Sequence, residues 1–482
     1  MPDFANPRSL PAAVPLVLAL LLAGCASLTA ETPPAPQAAP AQFKETGLWQ
    51  HTPGTQANVP DDWWQLFNDP VLNDLQTRLV IGNENLKTAV AQVAQARAGL
   101  DGSRAAQYPT LGASLSGSRS DSPSGNLVNT NSAGGPNNSV QLGLSASWEL
   151  DLWGRLSQAA NASQAKLQAS VDDLAAARLS AQALLVQTYF SLRTFEAQQA
   201  LYERNVTAYT RSLSLTQARY DAGVTGRSDV LQAQTQLKSA QAQLAESVAQ
   251  RAQLEHALAV LLGLAPSTFS LPRTAQVPDG PAIPPLLPST LLQRRPDIAA
   301  AERRVAAAFA QIGVAKAAYF PSLTLSANAG YRGTSLSELV SAPNRFWSIG
   351  PALAEGIFDG GARRAATAQA RASADQAASS YRQTVLTALQ EVEDNLVLAD
   401  QLRNEAQLQR EALGLARANL AITLEQYRQG TVSYLNVVTA QTTELSSELS
   451  LLSVRNRELA ALNQLLKNIA GRWQPDNATP AS

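Results

Sequence analysis

Two imidazoles, His51 and His256, and one thiol, Cys25, are the only imidazole and thiol groups in 482 residues. The histidines lie far apart in sequence, and neither sits in an HExxH or Cys/His spacing of the kind that holds zinc. No P-loop (GxxxxGK followed by Ser or Thr) and no GxGxxG at a strand-to-helix turn offers a seat for a nucleotide. Composition therefore disfavours an enzyme built on imidazole, metal or nucleotide chemistry, and no cofactor is expected. Formal net charge is −1, so there is no basic surface of the kind nucleic acids require.

The thiol is the one group with an evident chemical fate. Arg8 and the apolar run from Val14 to Leu22 lead into Leu22-Ala23-Gly24-Cys25, a run too short to span a bilayer. The segment resembles the lipobox of bacterial lipoproteins, so residues 1–24 read as a signal peptide and Cys25 as the site of a covalent lipid. By the same analogy, Ala26 at the next position, rather than Asp, points to the outer membrane. A single cysteine allows no intrachain disulfide, so packing must hold the fold.

The second feature is a segment that occurs twice. Tyr220 to Thr235 aligns without gaps on Tyr427 to Thr442, with Tyr, Gly, Val, Ala, Gln and Thr recurring at Tyr220/Tyr427, Gly223/Gly430, Val230/Val437, Ala233/Ala440, Gln234/Gln441 and Thr235/Thr442. Each copy joins two long Ala- and Gln-rich stretches, which predicts an internally repeated architecture. Gly223 and Gly430 suit left-handed helix ends, and Ser228 and Ser433 suit the caps of returning helices. Both copies then form tips of helical hairpins.

The elements that must carry these tips alternate between two periods. Residues 25–57, rich in Pro, Ala, Thr and Gln, read as a linker to the anchor. A first repeat over 58–270 is expected to hold a helix, a β-hairpin over 109–150, and long helices over 156–222 and 227–264. A second over 271–472 repeats the plan, with a hairpin over 320–358 and helices over 362–429 and 433–470; 473–482 is a tail. Leu156 to Ala222 has neither Gly nor Pro, and at 1.5 Å per residue it extends roughly 100 Å, the length of a coiled-coil shaft. Small residues permit close helix approach, and abundant Gln and Ser fit a shaft whose inner face meets water. Gly82 interrupts the first helical pattern, so its opening turns read as a separate short helix.

Between the helices the period is two. Val140, Leu142, Leu144, Ala146, Trp148 and Leu150 alternate with polar or small residues, as do Leu111, Ala113 and Leu115 and, in the second half, Leu323, Leu325, Ala327, Ala329 and Tyr331. Tyr108, Trp148, Trp153, Phe320, Tyr331, Trp347 and Phe358 sit near the strand ends. Such strands fit a transmembrane β-barrel, though a soluble hairpin pair packed on helices uses the same pattern. Four strands cannot close a barrel, and open edges in lipid stay unsatisfied, so the membrane reading requires oligomerisation.

Several longer words now align with one family. Trp148-Glu-Leu-Asp-Leu-Trp-Gly-Arg155, Leu291-Leu-Gln-Arg-Arg-Pro-Asp-Ile298, Ile312-Gly-Val-Ala-Lys-Ala-Ala-Tyr-Phe-Pro-Ser-Leu323 and Ile357-Phe-Asp-Gly-Gly361 resemble the TolC/OprM class of outer-membrane factors. More narrowly they resemble the NodT-type lipoproteins of RND efflux systems. The resemblance implies an α+β membrane protein: a homotrimer whose twelve strands form one transmembrane β-barrel, four from each chain, continuous with a long periplasmic α-helical barrel. It also implies a periplasmic adaptor and an inner-membrane RND pump as partners, and passive conduction of drugs or other small molecules across the outer membrane of a Gram-negative bacterium. A type I protein-secretion duct on the same fold, and a lipid-tethered periplasmic scaffold without a pore, are the alternatives.

Within that family the tips form the periplasmic gate and meet the adaptor. The resemblance carries this role to Tyr427, Ser228 and Asp229, and Tyr220, Gly223, Arg428, Gly430, Asn436 and Thr439 are grouped with them as tip residues. Two positions where acidic-ring members hold aspartates are Asn436 and Thr439 here, and the family's latching arginine is matched by Val432, with Arg428 nearby. The Arg294-Arg295-Pro296-Asp297 word reads independently as a structural junction. Pro296 suits the first turn of a helix, Arg295 before it is pushed toward extended backbone, and Asp297 favours the positive helix end. The two arginines are expected to meet acids of a neighbouring helix.

Overall fold

The computed structural model of the chain describes residues 40, 43–45, 62–121, 136–281 and 295–469. The signal-peptide, Cys25, Arg294 and tail readings lie outside them, as does the linker except at residues 40 and 43–45. There Phe43 is buried in the apolar core, and the Lys44 and Glu45 N–H groups donate to the Glu393 carboxylate. Among the described residues the long helices are α1 (Pro70–Gly82), α2 (Glu84–Ala105), α3 (Arg155–Asp221), α4 (Arg227–Leu261), α5 (Pro296–Ala317), α6 (Ala362–Arg428) and α7 (Tyr434–Ile469). The strands are β1 (Thr110–Ser120), β2 (Asn137–Leu150), β3 (Ser322–Gly333) and β4 (Arg345–Ala354). No helix among the described residues is long and apolar enough to cross a membrane. Residue contacts divide the chain into two compact units, each drawing on both sequence halves: one holds 94–169 and 302–380, the other 36–93, 170–301 and 381–482.

The break between α1 and α2 has a steric cause. A Cβ on Gly82 would meet the Leu262 carbonyl oxygen at 2.1 Å, so only glycine lets the two backbones touch. Asn83 then serves both sides: its amide donates to the Leu261 carbonyl (2.7 Å) and its Oδ1 accepts the Leu86 N–H (3.0 Å).

The unit that contains α1 has one large apolar core. Trp63, Leu72, Leu75, Leu79, Tyr189, Phe190, Leu258, Val392 and Leu465 are buried together. Asp69 caps α1 by accepting from the Val71 and Leu72 N–H groups, and its other oxygen accepts the Tyr189 hydroxyl at 2.6 Å. Along α6, Val385, Ala388, Val392, Leu396, Ala399, Leu402 and Ala406 are buried at steps of three and four, the narrow seam of a coiled coil.

The other unit contains the sheet, all antiparallel in the order β1-β2-β3-β4. Its register aligns Leu111, Ala146, Ala327 and Ile349 across all four strands, and likewise Leu115 with Leu142 and Tyr331. One face is therefore a continuous field of Leu, Ala, Val, Tyr and Trp; the other carries Ser114, Gly143, Asn328 and Ser348. The apolar face is open in the single chain: Leu111 is 76 % exposed, Trp347 73 % and Leu353 66 %. Strand β4 ends at Ala354, so Ile357 and Phe358 lie beyond it, although the expected hairpin runs to 358. Glu355-Gly356 and Asp359-Gly360-Gly361 turn the chain there, with Gly360 and Gly361 both at positive φ.

Candidate functional site

Both strand-to-helix turns are built from the family-like words. In the first, Glu149 takes a bidentate pair from Arg155 (3.0 and 2.6 Å), and Asp151 accepts the N–H groups of Leu156 and Ser157 to cap α3. Burial alone would raise the Asp151 carboxyl; the Ser157 hydroxyl and these N–H groups outweigh it and hold the carboxyl low. The Trp148 indole donates to the Gln107 carbonyl and that of Trp153 to the Pro321 carbonyl, and Trp153 stacks on Phe320 with centroids 4.8 Å apart. In the second turn Asp359 accepts from the Gly361 and Arg363 N–H groups and from the Arg363 guanidinium, which hold it down at about 2. These residues fix the angle between strand and helix.

The Arg-Pro-Asp junction behaves as a structural joint. Arg295 makes a two-point pair with Asp297 (3.1 and 2.7 Å) and reaches Glu391 of α6 (2.7 Å) and Asn468 of α7 (3.2 Å). Pro296 opens α5, and Asp297 accepts the Ile298 N–H. Burial pushes the Asp297 carboxyl up, but the Arg295 guanidinium and that N–H more than offset it, leaving the pKa lowered. Stability from this pair is thus complete above the ordinary aspartate range, about 3.9, and is lost as acidification passes through the depressed value. Asp297→Asn is expected to flatten the fall of the thermal midpoint between about pH 5 and pH 2; an unchanged acid slope would show that the pair does not carry it.

The duplicated segments occupy the turns between α3 and α4 and between α6 and α7. Gly223 (φ 74°) donates to the Tyr220 carbonyl while Val224 donates to the Arg219 carbonyl; Gly430 (φ 79°) and Thr431 donate likewise to Tyr427 and Gln426. Both are Schellman ends, which need the left-handed residue that glycine supplies. The returning helix of the first copy is capped at Gly226, not Ser228, which lies exposed inside the first turn of α4. The Thr225 hydroxyl instead bonds the Asp229 carboxylate from across that turn. In the second copy Ser433 precedes Tyr434 and its carbonyl accepts the Asn436 N–H.

The two tips pack on each other. Tyr427 and Tyr434 are buried at 2 % and 1 % exposure with Ala233 and Val437, their rings 5.5 Å apart. The Tyr427 hydroxyl meets that of Thr216 at 3.2 Å, and Gln441 donates to Ser212 at 3.1 Å. Burial, with the neighbouring Tyr427, Tyr209 and Asp229, pushes the Tyr434 hydroxyl up to about 12.

The most informative residue here is one the sequence does not single out. Arg219, one position before the repeated tyrosine, lies over the Tyr427 ring with its guanidinium carbon 4.7 Å from the centroid, and donates to the carbonyls of Tyr427 and Arg428. It neutralises the negative end of α6 from the other hairpin. Arg428, the sequence's candidate substitute, is spent on its own helix, pairing with Glu425 at 3.3 Å. Tyr220, Ser228, Arg428, Asn436 and Thr439 are exposed in the single chain; Asp229 is half-buried. Among the described residues no cluster of His, Cys, Asp and Glu could hold a metal.

The match to known proteins covers nearly the whole chain. The family model "Outer membrane efflux protein" matches residues 77–264 and 287–471. The toluene efflux pump outer membrane protein TtgI of Pseudomonas putida is 32 % identical over 466 residues, 95 % of this chain and 98 % of its own. The probable outer membrane lipoprotein SilC of Salmonella typhimurium is 28 % identical over 94 % of this chain and 97 % of its own. Among solved structures, the outer-membrane channel OprN superposes with a TM-score of 0.83 at 30 % identity, over 92 % of this chain and all of that one. With family words at both strand-to-helix turns and at the junction, and with the match spanning both hairpin tips, the chain belongs to the outer membrane efflux protein family.

Proposed function

We propose that this protein is the outer-membrane exit duct of a tripartite RND-type efflux system, conducting small molecules passively from a periplasmic adaptor and pump to the exterior. The observation that carries the reading is the sheet, with one exposed apolar face, one polar face and two unpaired edges, β1 and β4. An open sheet in hydrocarbon leaves its edge groups unsatisfied; three copies bring twelve strands, close the edges, and turn the apolar faces to lipid and the Ser- and Gly-rich faces to a lumen. The helical hairpins continue that lumen into the periplasm, and their paired tips are its gate and adaptor contact. A lipid on Cys25 tethers the first residues. The toluene-efflux role in the name of TtgI supports small organic molecules as cargo. No step requires a catalytic residue, and named relatives such as OprN are channels.

Planar bilayer recording of the purified protein tests the reading. The expected result is a heat-dissociable trimer with stable conductance; a monomer without conductance would sink it. The same recording reads the gate positions. Asn436 and Thr439 stand where acidic-ring relatives hold aspartates, so the parent pore should be only weakly blocked by divalent cations. Asn436→Asp places three carboxylates around the entrance and is expected to lower the blocking concentration about tenfold, which corresponds to about 1.4 kcal/mol. Block unaffected by the substitution would remove Asn436 from the pore entrance.

A further inference from the structure

Resting on the trimeric barrel reading, we propose a specific register for the seam between copies: β4 of one chain pairs antiparallel with β1 of the next so that Arg345 faces Asp121 and Ala354 faces Gly112. The single chain supplies three constraints. First, the apolar face takes odd-numbered residues on both edge strands, Leu111, Ala113 and Leu115 on β1 and Trp347, Ile349 and Leu353 on β4. Odd must therefore face odd, because a one-residue slip would turn a row of serines to lipid.

Second, the edges must overlap. Against Thr110–Arg119 all ten residues of β4 oppose β1, and against Gly112–Asp121 nine do, with Asp121 one residue past the end of the strand; slipping two further residues either way leaves more ladder groups unpaired inside the membrane. Third, charge separates these two. In the first register Arg345 lies directly opposite Arg119 on the same face, and directly opposed like charges destabilise a sheet. In the second Arg345 faces Asp121 and Trp347 faces Arg119, giving one ion pair and one cation–π contact at the seam. Arg119, Asp121 and Arg345 are all exposed, and none makes an ion pair among the described residues.

The barrel geometry agrees. Within one chain Thr110, Ser147, Ser326 and Gly350 form one transverse row, and the favoured seam returns that row to Ser116 of the next copy. Each copy advances the register by six residues, a shear of about 18 for the trimer, and with ordinary strand spacings the strands tilt by about 45°, the tilt of transmembrane strands.

Disulfide mapping in the full-length lipoprotein tests the register. Leu353→Cys is combined in turn with Ala113→Cys, the predicted partner, and with Leu111→Cys, the partner in the Arg345–Arg119 register. Under mild oxidation the 353/113 pair is expected to form covalent dimers and trimers at least tenfold faster than 353/111, since directly opposed Cβ atoms lie within disulfide reach and diagonal ones do not. Faster coupling of 353/111, or an intact trimer that couples with neither, would overturn the register and leave the trimer standing. A protein that stays monomeric would overturn the barrel reading itself. A charge exchange supplies the second arm: Asp121→Arg should slow 353/113 coupling several-fold, and adding Arg345→Asp should restore it. Failure of the double exchange to restore coupling would remove the Arg345–Asp121 pair.

Discussion

In the proposed trimeric duct, Arg219→Ala is expected to leave the assembly intact and to raise its resting conductance by at least tenfold. Arg219 is the residue that ties one hairpin to the other at the tip: its guanidinium lies 4.7 Å from the Tyr427 ring centroid and donates to two carbonyls at the end of α6. A hydrogen bond from a charged donor contributes about 1.5–3 kcal/mol, and a cation–π contact about 0.5–2 kcal/mol. Arg219 is only half-buried, so the low end of both ranges applies, about 2 kcal/mol per chain. If the closed tips hold these contacts and the open tips do not, each chain's equilibrium shifts by about thirtyfold toward open. Single-channel recording reads the shift directly, and uptake of a bulky dye by intact cells reads it in place. Arg219→Lys keeps the charge but loses the forked donor, so it should fall between parent and alanine. Conductance within twofold of the parent in a stable Arg219→Ala trimer would show that the tips are closed by something else.

Arg219 illustrates where sequence reading stops. The duplicated Tyr-x-x-Gly words located both tips, because glycine at a left-handed helix end is a local requirement and leaves a local trace. The contact across the tips joins residues 208 positions apart. Its one local sign is a basic residue in the last turn of α3, which the helix dipole favours in any helix. The second copy offers no reinforcement, since Gln426 occupies the aligned position. The strands follow the same division. Alternation identified β1, β2 and β3 and their apolar faces, while the eleven-pair register between β2 and β3 joins the two halves of the chain with no local mark. At β4 the aromatic signal misled, because Ile357 and Phe358 read as strand although the Gly-rich turn has already begun. The capping serine at 228 failed for a simpler reason: Gly226 already has extended backbone (φ −82°, ψ 159°), so the helix is capped two residues earlier.

Glu196→Ala should cost about 3–5 kcal/mol of stability. Glu196 is 1 % exposed and lies between two arginines: Oε2 accepts from Arg193 at 2.7 Å and from the Thr274 N–H at 3.1 Å, and Oε1 accepts from Arg251 at 2.9 Å. Arg251 continues to Glu255 and to the Leu271 carbonyl, and Glu255 accepts the Leu271 N–H. The network therefore binds α3, α4 and the segment after α4 into one body. In sequence it is invisible as a buried feature, because Arg193/Glu196 and Arg251/Glu255 have the three- and four-residue spacings of ordinary solvated helix pairs. Removing the carboxylate leaves Arg193 buried without its counter-charge, and breaking a buried pair from one side costs about 3–5 kcal/mol. Glu196→Gln keeps the shape and one acceptor and should lose less. Urea unfolding of the purified protein checks the order: parent, then Gln, then Ala, with the midpoint falling at each step and conductance of the surviving trimers unchanged. A Glu196→Ala midpoint equal to the parent's would mean that the buried arginines find other partners, and that the segment after α4 is held by its apolar contacts alone.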